Sequence, residues 1–294
     1  SASARRAFED AVGKKAESWP EDCLKGGKLR SEFQQWRRNN ITNLVRAARE
    51  TVDAVRTGTA LSAAVYGYWP GAMESVAQDA ELWAKEKLVD FLCPMNYSGE
   101  SWEAGTWLRR QLKSVDGAVP VYTGLANYMC ASPEDLKEQI REAREFGADG
   151  FITFQCTEPF AKEWLPALAK DVVKQKSTGA FQHAVSRPEA AWLPVPEKAE
   201  RLLPRIVAGD HLQLNVKWNP ESAPAPDSLK AAVLRNGVPS PGCGSLSLRM
   251  LNDREASAEL VPERPGYYRI QLEWKDASGA VQLWRSSTKL VYGF

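Results

Sequence analysis

The sequence predicts an α/β unit of about four strand–helix repeats over residues 1–178, a Pro-rich linker over 179–205, and an all-β sandwich over 206–294. Three observations carry this. Strand starts near Leu61, Val89, Val119 and Phe151 recur roughly every 30 residues, the size of one βαβ step, with helical patterns between them. Pro188, Pro194, Pro196 and Pro204 then punctuate a stretch with little periodicity. Beyond it, short segments alternate apolar and polar residues, the period of half-buried strands.

Arg5 to Val12 has a helical pattern, and a longer one begins near Ser31. There Phe33, Trp36, Ile41, Leu44, Val45, Ala48, Val52 and Val55 recur at three and four, ending at Gly58. Ala60 to Trp69 reads as a strand broken at Pro70-Gly71, and Met73 to Leu88 as one helix. The segment Val89 to Gly99, VDFLCPMNYSG, reads as a short buried strand ending in a polar, aromatic mouth, with Pro94 stopping a central ladder. A helix over Trp102 to Val115, a strand over Val119 to Tyr128 and a helix starting at Ser132-Pro133 follow. Ser132 suits the cap, Pro133 the first turn, and Glu134 and Asp135 the positive end of the dipole; Gly147 stops that helix. Gly150 to Thr157 is the fourth strand, and Phe160 to Gln175 the fourth helix.

Strands alternating with helices imply a parallel sheet. Four units are half of an eightfold barrel, which needs about 250 residues. They make either a compact four-stranded domain or the C-terminal half of a barrel. The chain opens at Ser1 rather than Met, which favours the half barrel, with parallel edges that the missing half would cover. In the last hundred or so residues, His211–Trp218, Leu229–Leu234, Ser245–Leu251, Ala256–Val261, Tyr267–Trp274 and Val281–Val291 read as strands, and Asn219-Pro220, Asn236-Gly237, Pro265-Gly266 and Ser278-Gly279 as turns. That pattern suggests an immunoglobulin- or fibronectin-like sandwich, with EWKDASGAVQLWR a hairpin joining its last two strands.

Composition narrows the function. The 294 residues carry a formal charge of +1, which makes no electrostatic case for nucleic acid or an anionic membrane. No apolar run approaches the length of a transmembrane helix. The five cysteines, Cys23, Cys93, Cys130, Cys156 and Cys243, form no CxxC or Cys/His cluster, which argues against a zinc site. Both histidines, His183 and His211, follow the α/β part, which disfavours Ser-His or Cys-His catalysis there.

FQQWRRNNITNLV (Phe33–Val45), LSAAVYGYWP (Leu61–Pro70), SVAQDAELW (Ser75–Trp83), LVDFLCPMNY (Leu88–Tyr97) and FGADGFITF (Phe146–Phe154) resemble the second half of the bacterial glycosyl-hydrolase-like ten family. The resemblance covers about Ala4 to Lys174. It implies the C-terminal half, about four units, of a (β/α)8 TIM barrel in a secreted, periplasmic or lipid-anchored bacterial glycosidase. One characterised kind acts on peptidoglycan glycan strands stripped of peptides. The family's strand-four segment, with an acidic motif, would precede Ser1, and Ala80 stands where the family usually carries Trp after Gln-Asp. The implied reaction is carboxylate acid/base hydrolysis of a glycosidic bond in a polysaccharide or oligosaccharide, with no metal or organic cofactor and with the missing half barrel as partner. The alternative is an envelope protein that binds carbohydrate without cleaving it; a third reading is a structural module whose sandwich contacts other envelope proteins.

Barrel enzymes place their chemistry at the C-terminal ends of strands. By position, the substrate-binding candidates are Tyr66, Tyr68 and Trp69, whose faces suit sugar stacking, then Asn96 and Tyr97, Asn127 and Tyr128, and Gln155. Arg37 or Arg38 would reach a carboxylate, while Trp36 fits the core stripe. The in-chain carboxylates to weigh first are Asp79 and Glu158. Each has an equally simple role at a helix start, so the catalytic pair is left unassigned.

Overall fold

The computed structural model describes residues 1–56, 58–173, 189–194, 206–218, 223–225, 227–240, 246–276, 279, 281–286 and 288–293. Helix α1 (Ala2–Val12) and the 26-residue α2 (Arg30–Val55) come first. Phe8, Trp19, Phe33 and Trp36 join them in a ring cluster, with the Phe8 and Phe33 centroids 5.3 Å apart. The long apolar stripe of α2 is only partly used. Ile41 and Val45 pack on the central core, whereas Leu44 and Val55 face solvent.

Strand β1 (Ser62–Tyr66) leads to α3 (Trp69–Ser75) and α4 (Ala80–Lys85); then come β2 (Phe91–Met95), α5 (Ser101–Val115), β3 (Tyr122–Ala126), α6 (Pro133–Phe146), β4 (Gly150–Phe154) and α7 (Leu165–Ala169). The single helix expected over Met73–Leu88 is two. Ala77 takes a positive φ of 59°, and Asp79 caps a new helix by accepting from the Leu82 N–H at 3.1 Å. Trp69 opens α3 instead of closing β1, with Pro70 in its first turn. Helix α6 starts and stops as its sequence directs: Ser132 and Asp135 form a reciprocal capping box and Gly147 closes it at φ 90°. A π-helical turn, Phe160–Trp164, precedes α7; the expected continuation to Gln175 lies partly outside the described residues.

The four strands pair in parallel in the order β1-β2-β3-β4. Sequential order, as opposed to a doubly wound order, leaves the connecting helices on one side of the sheet. Val65, Leu92 and Leu125 point to that side and are buried, at 0–1% exposure, in the helix-covered core. The expectation of an α/β unit with a parallel sheet holds.

Two aspartates tie this sheet at the N-terminal ends of its strands. Asp90 accepts from the Leu61 N–H at 2.6 Å and pairs with Arg49 at 2.8 Å. Asp149 repeats the device one strand pair later, accepting from the Val121 N–H at 3.0 Å. Its arginine, Arg269, comes from the β unit.

That unit contains two sheets. One runs β10 (Arg249–Met250), β11 (Glu255–Leu260), β7 (Leu212–Lys217), β5 (Glu189–Pro194), all antiparallel. The other is built on the ten-residue β12 (Gly266–Lys275), paired with β8 (Lys230–Arg235), β13 (Val281–Arg285) and β14 (Lys289–Tyr292); β9 (Val238–Pro239) and β6 (Ile206–Val207) extend it. Strand β5 lies inside the Pro-rich stretch and pairs residue for residue with β7. The stretch Val281–Val291 contains two strands, and among the described residues of 246–251 only Arg249 and Met250 form a strand. The hairpin expected from EWKDASGAVQLWR forms, with Lys275 opposite Val281, but it joins β12 to β13 and a further strand, β14, follows. Trp218 and Trp274, 6.0 Å apart and edge-on, fill the core of this unit with Ile270 and Leu272. The Tyr268 hydroxyl donates to the Arg264 carbonyl at 2.9 Å.

Candidate functional site

Side chains alternate along each strand, so one face of the parallel sheet meets the helices and the other carries none among the described residues. Register aligns Tyr66 with Met95, Met95 with Gly124, and Gly124 with Ile152. Ala126 and Phe154 make the next layer toward the C-terminal ends. Tyr66 is 52% exposed and Phe154 49%, against 1% for Val65 on the opposite face. These layers leave one face of the sheet open.

At the C-terminal end of that face three rings meet. Tyr97 stacks on Phe154 with centroids 5.6 Å apart, and Tyr128 stands edge-on to both at 6.4 and 6.2 Å. Gly124 makes room for this: a Cβ there would sit 2.9 Å from the Pro94 carbonyl oxygen and 3.2 Å from Tyr97 Cε1. Burial, then the neighbouring Tyr128 and Cys93, push the Tyr97 phenol above its ordinary value, so it remains a neutral donor. A stacked ring beside exposed ones offers the flat apolar surface and polar edges on which a sugar ring rests.

The other candidates part company at this point. Asn96 is fully buried, not presented to a cleft. It shares the parity of Leu92 and Pro94 and so points to the helices. Its Nδ2 donates to Gln111 Oε1 at 2.9 Å and to Thr123 Oγ1 at 3.0 Å, and its Oδ1 accepts from Gln111 Nε2 at 2.7 Å. Gln111 also donates to the Gly67 carbonyl at 2.6 Å, tying β1, β2 and β3 to α5. Trp69, at the start of α3, is buried in the helix-side core, its indole N–H without a partner among the described residues. Tyr68, one residue earlier, is exposed under the Arg110 guanidinium.

Arg37 does not reach the sheet's open face. Its guanidinium donates to the carbonyls of Glu74 and Ser75 at 2.8 and 2.7 Å and so closes the C-terminus of α3. Arg38 donates to Gln35 at 2.7 Å. Asn127 is buried and donates to the Gln155 carbonyl at 3.1 Å, which holds the ends of β3 and β4 together. Gln155 itself is exposed beyond Phe154.

The two carboxylates are taken by helix starts. Asp79 is the cap of α4, and exposed Glu158 pairs with Lys162 at 2.5 Å one turn on. Ala80 is buried in the helix-side core, a packing position. Among the described residues no three His, Cys, Asp or Glu side chains are grouped to hold a metal. Burial pushes the Cys93 and Cys130 thiols up to about 11, leaving them protonated and unreactive at neutral pH. The site residue that sequence reasoning misses is Phe154. Its signal was the two-residue alternation from Ile152, which puts both on the open face.

Comparison with known proteins agrees with the resemblance. Residues 3–141 match the family described as "Glycosyl hydrolase-like 10". That family name supports a glycosidase-like protein at the level of the family. No curated protein matches the chain. Among solved structures, similarity is found to CopC from Methylosinus trichosporium OB3b (10% identity, TM-score 0.22, 28% of this chain and 76% of that one). It is also found to the Lin-41 filamin domain (10%, 0.22, 35% and 91%) and to a chimeric titin Z1Z2 carrying a KLER peptide from decorin (18%, 0.20, 31% and 86%). No described helix is long and apolar enough to cross a membrane.

Proposed function

We propose that this protein binds a glycan strand, of peptidoglycan or another polysaccharide, along the aromatic end of its parallel sheet. In the whole protein that strand is hydrolysed by carboxylate acid/base chemistry. The observation that carries this is the Tyr97–Phe154–Tyr128 cluster at the C-terminal ends of the strands, whose two tyrosines lie in the segment matching a glycosyl hydrolase-like family while Phe154 lies beyond it. The uncovered face, with Tyr66, Ile152 and Phe154 exposed and the outer edges of β1 and β4 unpaired among the described strands, supports closure by further β/α units into a barrel. Those units would bring the acid and its partner carboxylate. An extracytoplasmic site of action goes with a cell-wall substrate. The β unit is read as immunoglobulin-like, a reading supported by the Tyr268 hydroxyl turning back to the Arg264 carbonyl at the start of a central strand.

Glycan binding without cleavage is the second reading, favoured by the engagement of Asp79 and Glu158 in helix starts. The test is release of reducing ends from denuded peptidoglycan and a panel of other glycans. The whole gene product is assayed beside this chain, with binding measured in parallel. Release by the whole product, lost on substituting Tyr97, supports hydrolysis. Binding without release by either supports the second reading, and absence of both sinks the proposal.

A further inference from the structure

A groove of about 820 Å³ runs between the outer surface of α5 and the edge of the β unit, on the helix side of the sheet and apart from the aromatic rim. Such a volume suits a ligand of a few sugar units or a similar small molecule. One wall is α5, which presents Arg109, Arg110 and Lys113 within about one turn. The other is β14, with Lys289 and Tyr292, and Tyr267 of β12 meets Phe146 edge-on at 5.3 Å in its floor. The charge here is lopsided. Four cations line the groove against one carboxylate, Asp116, which already pairs with Lys289 at 3.4 Å.

Arg109, Arg110 and Lys113 are exposed, and none forms an ion pair with a described residue. Both guanidiniums lie instead over rings, Arg109 over Phe146 at 5.0 Å and Arg110 over Tyr68 at 5.9 Å. A guanidinium placed on a ring keeps its N–H edge free for a planar anion. In a chain whose total charge is only +1, this concentration of cations beside aromatic faces is local, with Glu142 of α6 the neighbouring carboxylate whose charge Arg109 offsets.

We propose that this groove is a binding site for an acidic saccharide, one bearing carboxylates on successive sugars. The cations would take the carboxylates, and Tyr292, 40% exposed at the groove's edge, a sugar face. The site is independent of whether the protein hydrolyses anything.

Calorimetric titration of the whole chain with tetragalacturonate, and with cellotetraose as a neutral control, tests it. Tetragalacturonate is expected to bind, and to weaken as salt rises. The exposed double variant Arg110→Gln/Lys113→Gln should lose about tenfold in affinity, and Tyr292→Ala about threefold to tenfold. The double substitution should remove the same fold-affinity for tetragalacturonate in a Tyr97→Ala background as in the unsubstituted chain, which separates this site from the rim. Absence of tetragalacturonate binding, or binding indifferent to the double substitution, overturns the proposal. So does equal affinity for cellotetraose, or for tripolyphosphate with Tyr292→Ala silent, since the groove would then read sugar or charge alone.

Discussion

Arg269 and Asp149, 120 positions apart in the chain, meet at 3.3 Å and join the β unit to the first residue before β4. Arg269 is 6% exposed. Its Nε donates to the Ser286 carbonyl at 2.8 Å, and one terminal nitrogen donates to the Gly147 carbonyl. Arg49 does the same work for Asp90 from within the α/β unit. The third unit of the sheet is thus anchored at the end opposite the aromatic rim, by a residue that sequence pattern assigns to a different layer.

Removing one partner of a buried pair leaves an uncompensated charge. Arg269→Met is expected to cost about 3 kcal/mol in urea unfolding, and Asp149→Asn less, since its amide still accepts from the Val121 N–H. Single costs that simply add in the double variant would show that the two residues do not interact.

Gly147 is the hinge of this contact. Its φ of 90° is unfavourable for any side chain, and a Cβ would collide with Thr288 Oγ1 and lie 2.9 Å from Arg269 Cδ. Gly147→Ala should cost about 2 kcal/mol or more and make the linker side of the β unit easier to cleave, as limited proteolysis would register. An unchanged cleavage pattern would count against the contact.

The Asn96–Gln111 amide pair is structural. Asn96→Ala leaves the Gln111 amide without its partner and should cost about 2 kcal/mol in thermal unfolding, with little change in glycan affinity once folded. Tyr97→Ala and Phe154→Ala should behave the other way round. They should lose about threefold to tenfold in glycan affinity by calorimetry, since an aromatic contact contributes about 1 kcal/mol.

Burial first, then Glu138 and Glu145, raise the Glu142 carboxyl above its ordinary value, with Arg109 opposing. The folded protein therefore holds this proton more tightly than the unfolded chain. Stability falls as pH rises from the ordinary glutamate value through the raised one, and the penalty persists above it. Glu142→Gln should accordingly stabilise the protein at pH 7 by about a few tenths of a kcal/mol. The gain should fade as pH drops toward that of an ordinary glutamate, in thermal melts across pH. A gain that grows on acidification would reverse the assignment.

The local sequence determined what local chemistry decides. The capping box at Ser132, the stop at Gly147 and the spacing of four parallel strands all follow from side-chain period and backbone preference, within one or two turns of chain. So did the aromatic ends of the strands, of which Tyr66, Tyr97 and Tyr128 stand on the open face or its rim. The tertiary structure decided which neighbours of those residues face inward. Asn96 sits one step in parity from Tyr97, and in an extended chain one step reverses the face, while Trp69 turns inward because the chain has already entered α3. Which face is buried depends on where the helices lie, a fact that no single strand contains. Arg37 and Arg269 were equally beyond sequence reach. A long cation binds whichever carbonyls or carboxylate the fold brings within its length, and their partners are 37 and 120 residues away.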